Sequence, residues 1–338
     1  MKLKVFAMCL LASGGAAAFA SINMEFVTVG NAGNAADPTT GYGAVDYDYR
    51  IGKYEVTNAQ YAAFLNAVDP TGSNSLALYN GNMAGNFGGI ELQTGNTPGN
   101  RFVVQAGREN NPVTFVTWYN AARMANWMTN GQGSGGTESG VYTFSGLNSI
   151  STIARDLSNP NQVFIPNEDE WYKAAYHDAS AGTAGEYFRY ATGSDSIPVS
   201  DNPVDNPAGV NYFNDDGVAN GFNDGYAVSG STSFPSNTNP FTDVGAYFDA
   251  ASPYGAFDMN GNAIEWNEAL VGSGRGIRGG SWVSAEGVLR PSFNSFGFPS
   301  FEDFDLGFRL AQPVPEPATM LALGAGLVAL AARRRNRN

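Results

Sequence analysis

The stretch Asp258-Met259-Asn260-Gly261-Asn262-Ala263-Ile264-Glu265-Trp266 decides how the chain is read. An Asn-Gly-Asn turn, whose side chains can bond back to the backbone, runs between two carboxylates into a tryptophan. Segments of the same kind lie on either side of it. Downstream are Arg278-Gly279-Gly280-Ser281-Trp282 and Gly307-Phe308-Arg309-Leu310. Upstream are Lys53-Tyr54-Glu55-Val56-Thr57-Asn58, Pro112-Val113-Thr114-Phe115-Val116-Thr117-Trp118 and Pro166-Asn167-Glu168-Asp169-Glu170-Trp171-Tyr172-Lys173-Ala174-Ala175. All five tryptophans, Trp118, Trp127, Trp171, Trp266 and Trp282, fall in or beside these segments. Their large apolar area makes core packing the first expectation, with an aromatic reading platform as the alternative. Gly279-Gly280 reads as a tight turn that lets backbones approach, or else as an anion cradle.

Three helices are expected. Thr57-Asn58-Ala59-Gln60 is a capping-box pattern, followed by Tyr61, Phe64, Leu65 and Val68 on one face. Thr117 caps a second helix carrying Trp118, Ala121, Ala122, Ala125 and Met128. Asn167-Glu168-Asp169-Glu170 opens a third, its acidic first turn suiting the helix dipole. His177 follows that helix and reads as a surface residue near its C-terminus. Ile22 to Val29 is β-like. Residues 131–160 and 193–245 show neither helical nor strand period over long stretches. Loops of that length need something to hold them. With one cysteine, disulfides are excluded, leaving bound metal and aromatic packing.

The two ends read as addresses. Residues 1–20 form a secretory signal: Lys2 and Lys4, an apolar run containing Cys9, then Ala18-Phe19-Ala20 before Ser21. Residues 313–338 join Pro313-Val314-Pro315-Glu316-Pro317 to an apolar run from Ala318 to Ala332 and four arginines, 333, 334, 335 and 337. The apolar run is expected to be a short transmembrane helix, with the arginines kept on the cytoplasmic side. This tail resembles the PEP-CTERM sorting signal. The resemblance implies recognition by an exosortase-type machinery, transient membrane anchoring, and release to the cell surface or an exopolysaccharide matrix. Without both ends the basic residues fall to 12 and the acidic to 30, a net charge near −18. Such a body repels nucleic acid and favours hard cations such as calcium.

The body, residues 21–312, shows no composition break and no internal repeat. Its six ordered motifs resemble the formylglycine-generating enzyme, or sulfatase-modifying factor, domain family. The resemblance implies an α+β, C-type-lectin-like fold with little regular secondary structure and long loops. It also implies two calcium sites. One matches Asp258, Gly261, Ala263 and Glu265; the other matches Asn211, Tyr212, Asp224 and Tyr226, across a longer insert than the family carries. The alternative for both sets is solvated turn residues.

The family's oxidising members hold copper(I) through two cysteines just after the Gly-Gly-Ser-Trp segment. Here that stretch reads Val283-Ser284-Ala285-Glu286-Gly287-Val288-Leu289-Arg290, with no thiol. A serine hydroxyl does not replace a soft thiolate, so copper is not expected. The related iron enzymes need a histidine cluster, and the chain has one histidine. No catalytic residue is assigned. Phe293, Phe296, Phe298, Phe301 and Phe304 are expected to fill core under a loop for the most part, with one or two rings exposed to stack on sugars or peptides. A ligand pocket is expected from Trp282, Ser284, Arg290, Phe293 and Phe296. The chain then reads as an exported binding or scaffold protein, partnered by a cell-surface polysaccharide or protein. The alternative is a formylglycine-generating or other modifying oxidoreductase working without cysteine.

Overall fold

The computed structural model describes residues 21–133 and 136–314. The signal segment and the apolar tail, with its expected membrane helix, lie outside the described residues. Within them no helix is long and apolar enough to cross a membrane.

The three helices start where the sequence caps them. Thr57 accepts from the Gln60 amide while the Gln60 side chain returns to the Thr57 amide, opening α1 (Asn58–Val68). Thr117 accepts from the Asn120 amide at the head of α2 (Trp118–Thr129). Asn167 and Glu170 form a second reciprocal box on α3 (Glu168–Tyr176).

The strands are short. In the first sheet β1 (Phe26–Val29) pairs with β2 (Tyr49–Gly52), so the expected 22–29 strand contracts to its last four residues. Next come the antiparallel pairs β3 (Ile90–Leu92) with β4 (Phe102–Val104), β5 (Tyr142–Gly146) with β6 (Ser149–Ile153), and β7 (Phe213–Asp215) with β8 (Asp224–Tyr226). The last two pairs lie inside the stretches expected to be aperiodic. Three to five residues, with register shifts in β5–β6, are too few to print a period of two. β9 (Ile264–Val271) and β10 (Gly274–Arg278) centre a four-stranded sheet, flanked by β11 (Ser295–Gly297) and, parallel to β9, β12 (Leu306–Phe308). β13 (Ala311–Pro313) then pairs with β2, joining the two ends of the described chain. The result is an α+β fold rich in loops.

All five tryptophans are at most 1% exposed. Four of the indole N–H groups are satisfied: Trp118 by the Asn267 carbonyl, Trp127 by that of Gly133, Trp266 by that of Val116, and Trp171 by Glu265. Buried asparagines hold the loops from within. Asn126 bridges the Thr137 and Tyr142 carbonyls, and Asn260 ties the Leu289 carbonyl to the Ala191 amide. In low dielectric such fully satisfied amides rigidify a core.

The deepest tie is ionic. Arg309 and Glu265 are both fully buried and paired, Nε lying 2.7 Å from Oε2. Arg309 also donates to the Gly52 carbonyl at 3.0 Å and the Phe257 carbonyl at 2.9 Å, while Trp171 Nε1 reaches Glu265 Oε2 at 2.8 Å. One pair thereby fastens β12, β9, β2 and α3.

His177 is not on the surface. It is fully buried, because the chain returns across the end of α3 and pairs Tyr187 with it. Nε2 faces the Ala184 carbonyl at 2.9 Å, an acceptor only, so this nitrogen carries the proton and Nδ1 accepts from the Tyr254 hydroxyl at 2.7 Å. Burial lowers the His177 pKa. The neutral ring therefore stabilises the fold above the unfolded value near ~6.5, and that contribution is lost as pH falls through it. The Tm gap between wild type and His177→Gln should narrow between pH 7.5 and pH 5.5, roughly a one-unit traverse on either side of that value. A constant gap in thermal melts would show that the ring is not held neutral.

Candidate ligand-binding site

After β10 the backbone turns through Gly279 and Gly280, at φ +99° and +72°. A Cβ on Gly280 would sit 2.7 Å from Leu289 Cδ2, so the turn needs glycine for space as well as conformation. It delivers Ser281 and Trp282 to the interior. Ser281 Oγ donates to Asp305 Oδ2 at 2.6 Å and lies 3.2 Å from Ser284 Oγ, which accepts the Ser281 amide at 3.0 Å. Burial raises the Asp305 pKa. Ser284 alone of the three lies in the Val283–Arg290 stretch in which the family resemblance puts two thiols, and its hydroxyl is tied through Ser281 to Asp305. All three are hard oxygen groups.

Trp282 is 1% exposed and ringed by aromatics. Phe87 stacks on it at 5.6 Å; Tyr226, Phe234 and Phe304 follow at 5.6 to 5.7 Å, and Phe241 at 6.1 Å. Its indole Nε1 has no conventional partner among the described residues. Ring faces are the weak acceptors such a cluster can offer an enclosed N–H. Against Trp282 and Tyr226 lies a cavity of about 250 Å³, walled also by Val228, Pro235 and Pro240. None of the residues lining it is charged.

The expected pocket set does not assemble there. Arg290 is ion-paired with Glu286 and lines a different cleft of about 290 Å³ with Asp37, Arg189 and Asp195. The Phe293 carbonyl accepts from Arg278. Phe296 stands on β11, 60% exposed, beside the exposed Phe298 and Phe301. Three of the five phenylalanines are therefore outside the core, more than expected, since β11 is an edge strand. Of the set, Trp282 alone lines the aromatic cavity, with Ser284 two residues along on the hydroxyl cluster.

The two calcium sets are placed as follows. Asp258 Oδ2 accepts the Gly245 amide at 2.6 Å, leaving Oδ1 without a donor among the described residues. The Ala263 amide goes to Glu55, which also takes the Asn262 side chain. Glu265 is engaged by Arg309 and Trp171. Of the three carboxyl groups only Glu265 is bonded to Arg309, whose charge acts on Glu55 and Asp258 from a distance. Burial, with the charges of Asp258 and Glu265 added, lifts Glu55 well above the carboxylate range. Burial also pushes Asp258 up to about 6. Glu55 stands in the Lys53–Asn58 segment, and the sequence assigns it no role.

In the second set the β7–β8 pair brings Tyr212, Asp224 and Tyr226 near one another, but their groups have other bonds. The Tyr212 carbonyl accepts from Ser200, the Tyr226 carbonyl from Gly230, and Asp224 from Gly221. Asn211 spends its Nδ2 on the Pro240 carbonyl and Asn262, and its Oδ1 has no donor among the described residues. Among the described residues no three His, Cys, Asp or Glu side chains converge to hold a metal. A cation at either loop would rest on one or two carboxylates and on amide or main-chain carbonyl oxygens.

Comparison with known proteins places these features. Residues 313–335 match the PEP-CTERM protein-sorting motif, which implies export and recognition by exosortase-type sorting machinery. Hercynine oxygenase from Mycolicibacterium smegmatis is 35% identical over 21% of this chain and 22% of its own, so the chain spans about a fifth of that relative. Among solved structures, CarF is similar at a TM-score of 0.48 and 22% identity, covering 86% of this chain and 99% of its own. Treponema denticola variable protein 1 is similar at 0.48 and 17%, covering 88% and 97%. Residues 13–314 match the sulfatase-modifying factor enzyme 1-like domain, and the chain belongs to that family.

Proposed function

We propose that this member of the family is an exported cell-surface or matrix protein that binds a ligand instead of oxidising one. One observation carries the reading: the stretch from Val283 to Arg290, where the resemblance puts two thiolates, offers the hydroxyl of Ser284, bonded to Ser281, which in turn donates to Asp305. Hard hydroxyls do not hold copper(I). Beside them the uncharged cavity against Trp282 supplies a surface for binding.

The loop from Asp258 to Glu265 would take calcium as a structural ion. Only Glu265 of the three buried carboxyl groups is paired with Arg309, so a divalent cation beside Asp258 would offset a charge that burial disfavours, with oxygen ligands in flexible geometry. The Asp258 side chain and the Gly261 and Ala263 carbonyls would hold it, next to Glu265. Bound calcium at 100 times its dissociation constant adds about 2.7 kcal/mol to the fold.

Two outcomes follow. Calcium should raise the Tm of the wild type, whereas Asp258→Asn should melt higher than wild type in excess chelator at neutral pH and lose the calcium response. A calcium response retained in full by Asp258→Asn would remove this loop as the site. In the second experiment a sulfatase-derived cysteine peptide is incubated with Cys9→Ser protein and copper. No conversion to formylglycine above a copper-only blank is expected; turnover would overturn the binding reading.

A further inference from the structure

Resting on that binding reading, we infer that the cavity beside Trp282 takes an uncharged sugar residue. The chain carries 31 acidic and 18 basic residues, yet the cavity wall has no charge of either sign. A carboxylate, phosphate or ammonium entering it would be desolvated with no counter-charge to meet it. The ligand is therefore neutral.

The wall is also not simply greasy. Trp282, Tyr226, Val228, Pro235 and Pro240 give it apolar faces. Asn211, only 2% exposed, has both amide hydrogens committed to the Pro240 carbonyl at 2.9 Å and to Asn262 Oδ1 at 3.1 Å. Its Oδ1 accepts nothing among the described residues, and it lines the cavity. The Tyr226 hydroxyl and Thr238 Oγ1, in the same wall, are likewise without hydrogen-bond partners. Filling this space with hydrocarbon would strand the Asn211 oxygen away from water, at about 1–3 kcal/mol. A pyranose ring answers both demands, presenting C–H groups on its faces and hydroxyls around its edge. The volume of about 250 Å³ is just below the range of roughly 300–1,000 Å³ for drug-sized ligands, which suits one ring rather than a chain of them. A phenylalanine side chain from a protein partner would cover the apolar faces but bring no donor to Asn211.

The test follows the indole N–H resonance of Trp282 by NMR, assigned with Trp282→Phe, in the full chain. The probes are methyl glycosides of glucose, galactose, mannose and N-acetylglucosamine, with methyl glucuronoside as the charged control and N-acetyltyrosinamide as the peptide control. At least one neutral glycoside should shift the resonance saturably, and the glucuronoside should not. Tyr226→Phe keeps the ring and removes the hydroxyl, and should weaken binding roughly fivefold, as loss of one hydrogen bond does. Thr238→Val, at an exposed loop position, should do the same without disturbing the aromatic cluster. Silence from every neutral glycoside, or equal binding of the glucuronoside, would overturn the inference. A response to N-acetyltyrosinamide alone would also overturn it while leaving a binding protein; formylglycine turnover is what would remove that broader reading.

Discussion

A buried charge must be matched, and the pairing of Arg309 with Glu265 is where this protein meets that constraint. Neither side chain touches solvent, and Arg309 sends its remaining donors to the carbonyls of Gly52 and Phe257. Removing one member of such a pair leaves the other charged and dry, at about 3–5 kcal/mol. The guanidinium follows β12, the carboxylate sits on β9, and Trp171 of α3 closes the remaining side. Elements separated by more than 250 residues are thus held in one place. In a fold with strands this short, that tie and the buried asparagines do work that longer ladders perform elsewhere.

The site depends on the same frame but not on the same residues. β10 lies against β9, and the Gly279-Gly280 turn at its end sends Ser281 and Trp282 inward. What those positions then do is set by side-chain chemistry. Ser281, bonded to both Asp305 and Ser284, makes a polar knot, and a tryptophan among five other rings makes an apolar wall. The proposed reading is that the frame of the family persists here while these positions bind instead of oxidise. This is why the fold follows from the family and the function has to be argued from the site.

What could be read from the sequence was local or bulky. Thr57 with Gln60, Thr117, and Asn167 with Glu170 announce helices because a cap acts within four residues. Tryptophan burial follows from size alone. The strands within 142–153 and 213–226 left no trace, because their pairing is decided by distant packing rather than by a period. His177 was misplaced for a related reason: the segment that covers it arrives ten residues later, at Tyr187. The aromatic ring around Trp282 draws Phe87, Phe234 and Phe241 from separate loops, so no spacing rule could gather them. Asn211 and Tyr226 match a calcium site that only the family resemblance implies, and the structure puts both on the wall of the cavity.

The central claim is that the reactive position has exchanged soft donors for hard ones while the frame stayed in place. Copper(I) competition tests it most directly. Purified Cys9→Ser protein would be titrated against the coloured copper(I) complex of bicinchoninate, with circular dichroism confirming that the chain is folded. The account predicts that the colour stays with the chelator at one equivalent of protein. Stoichiometric withdrawal of copper by the folded protein would contradict it.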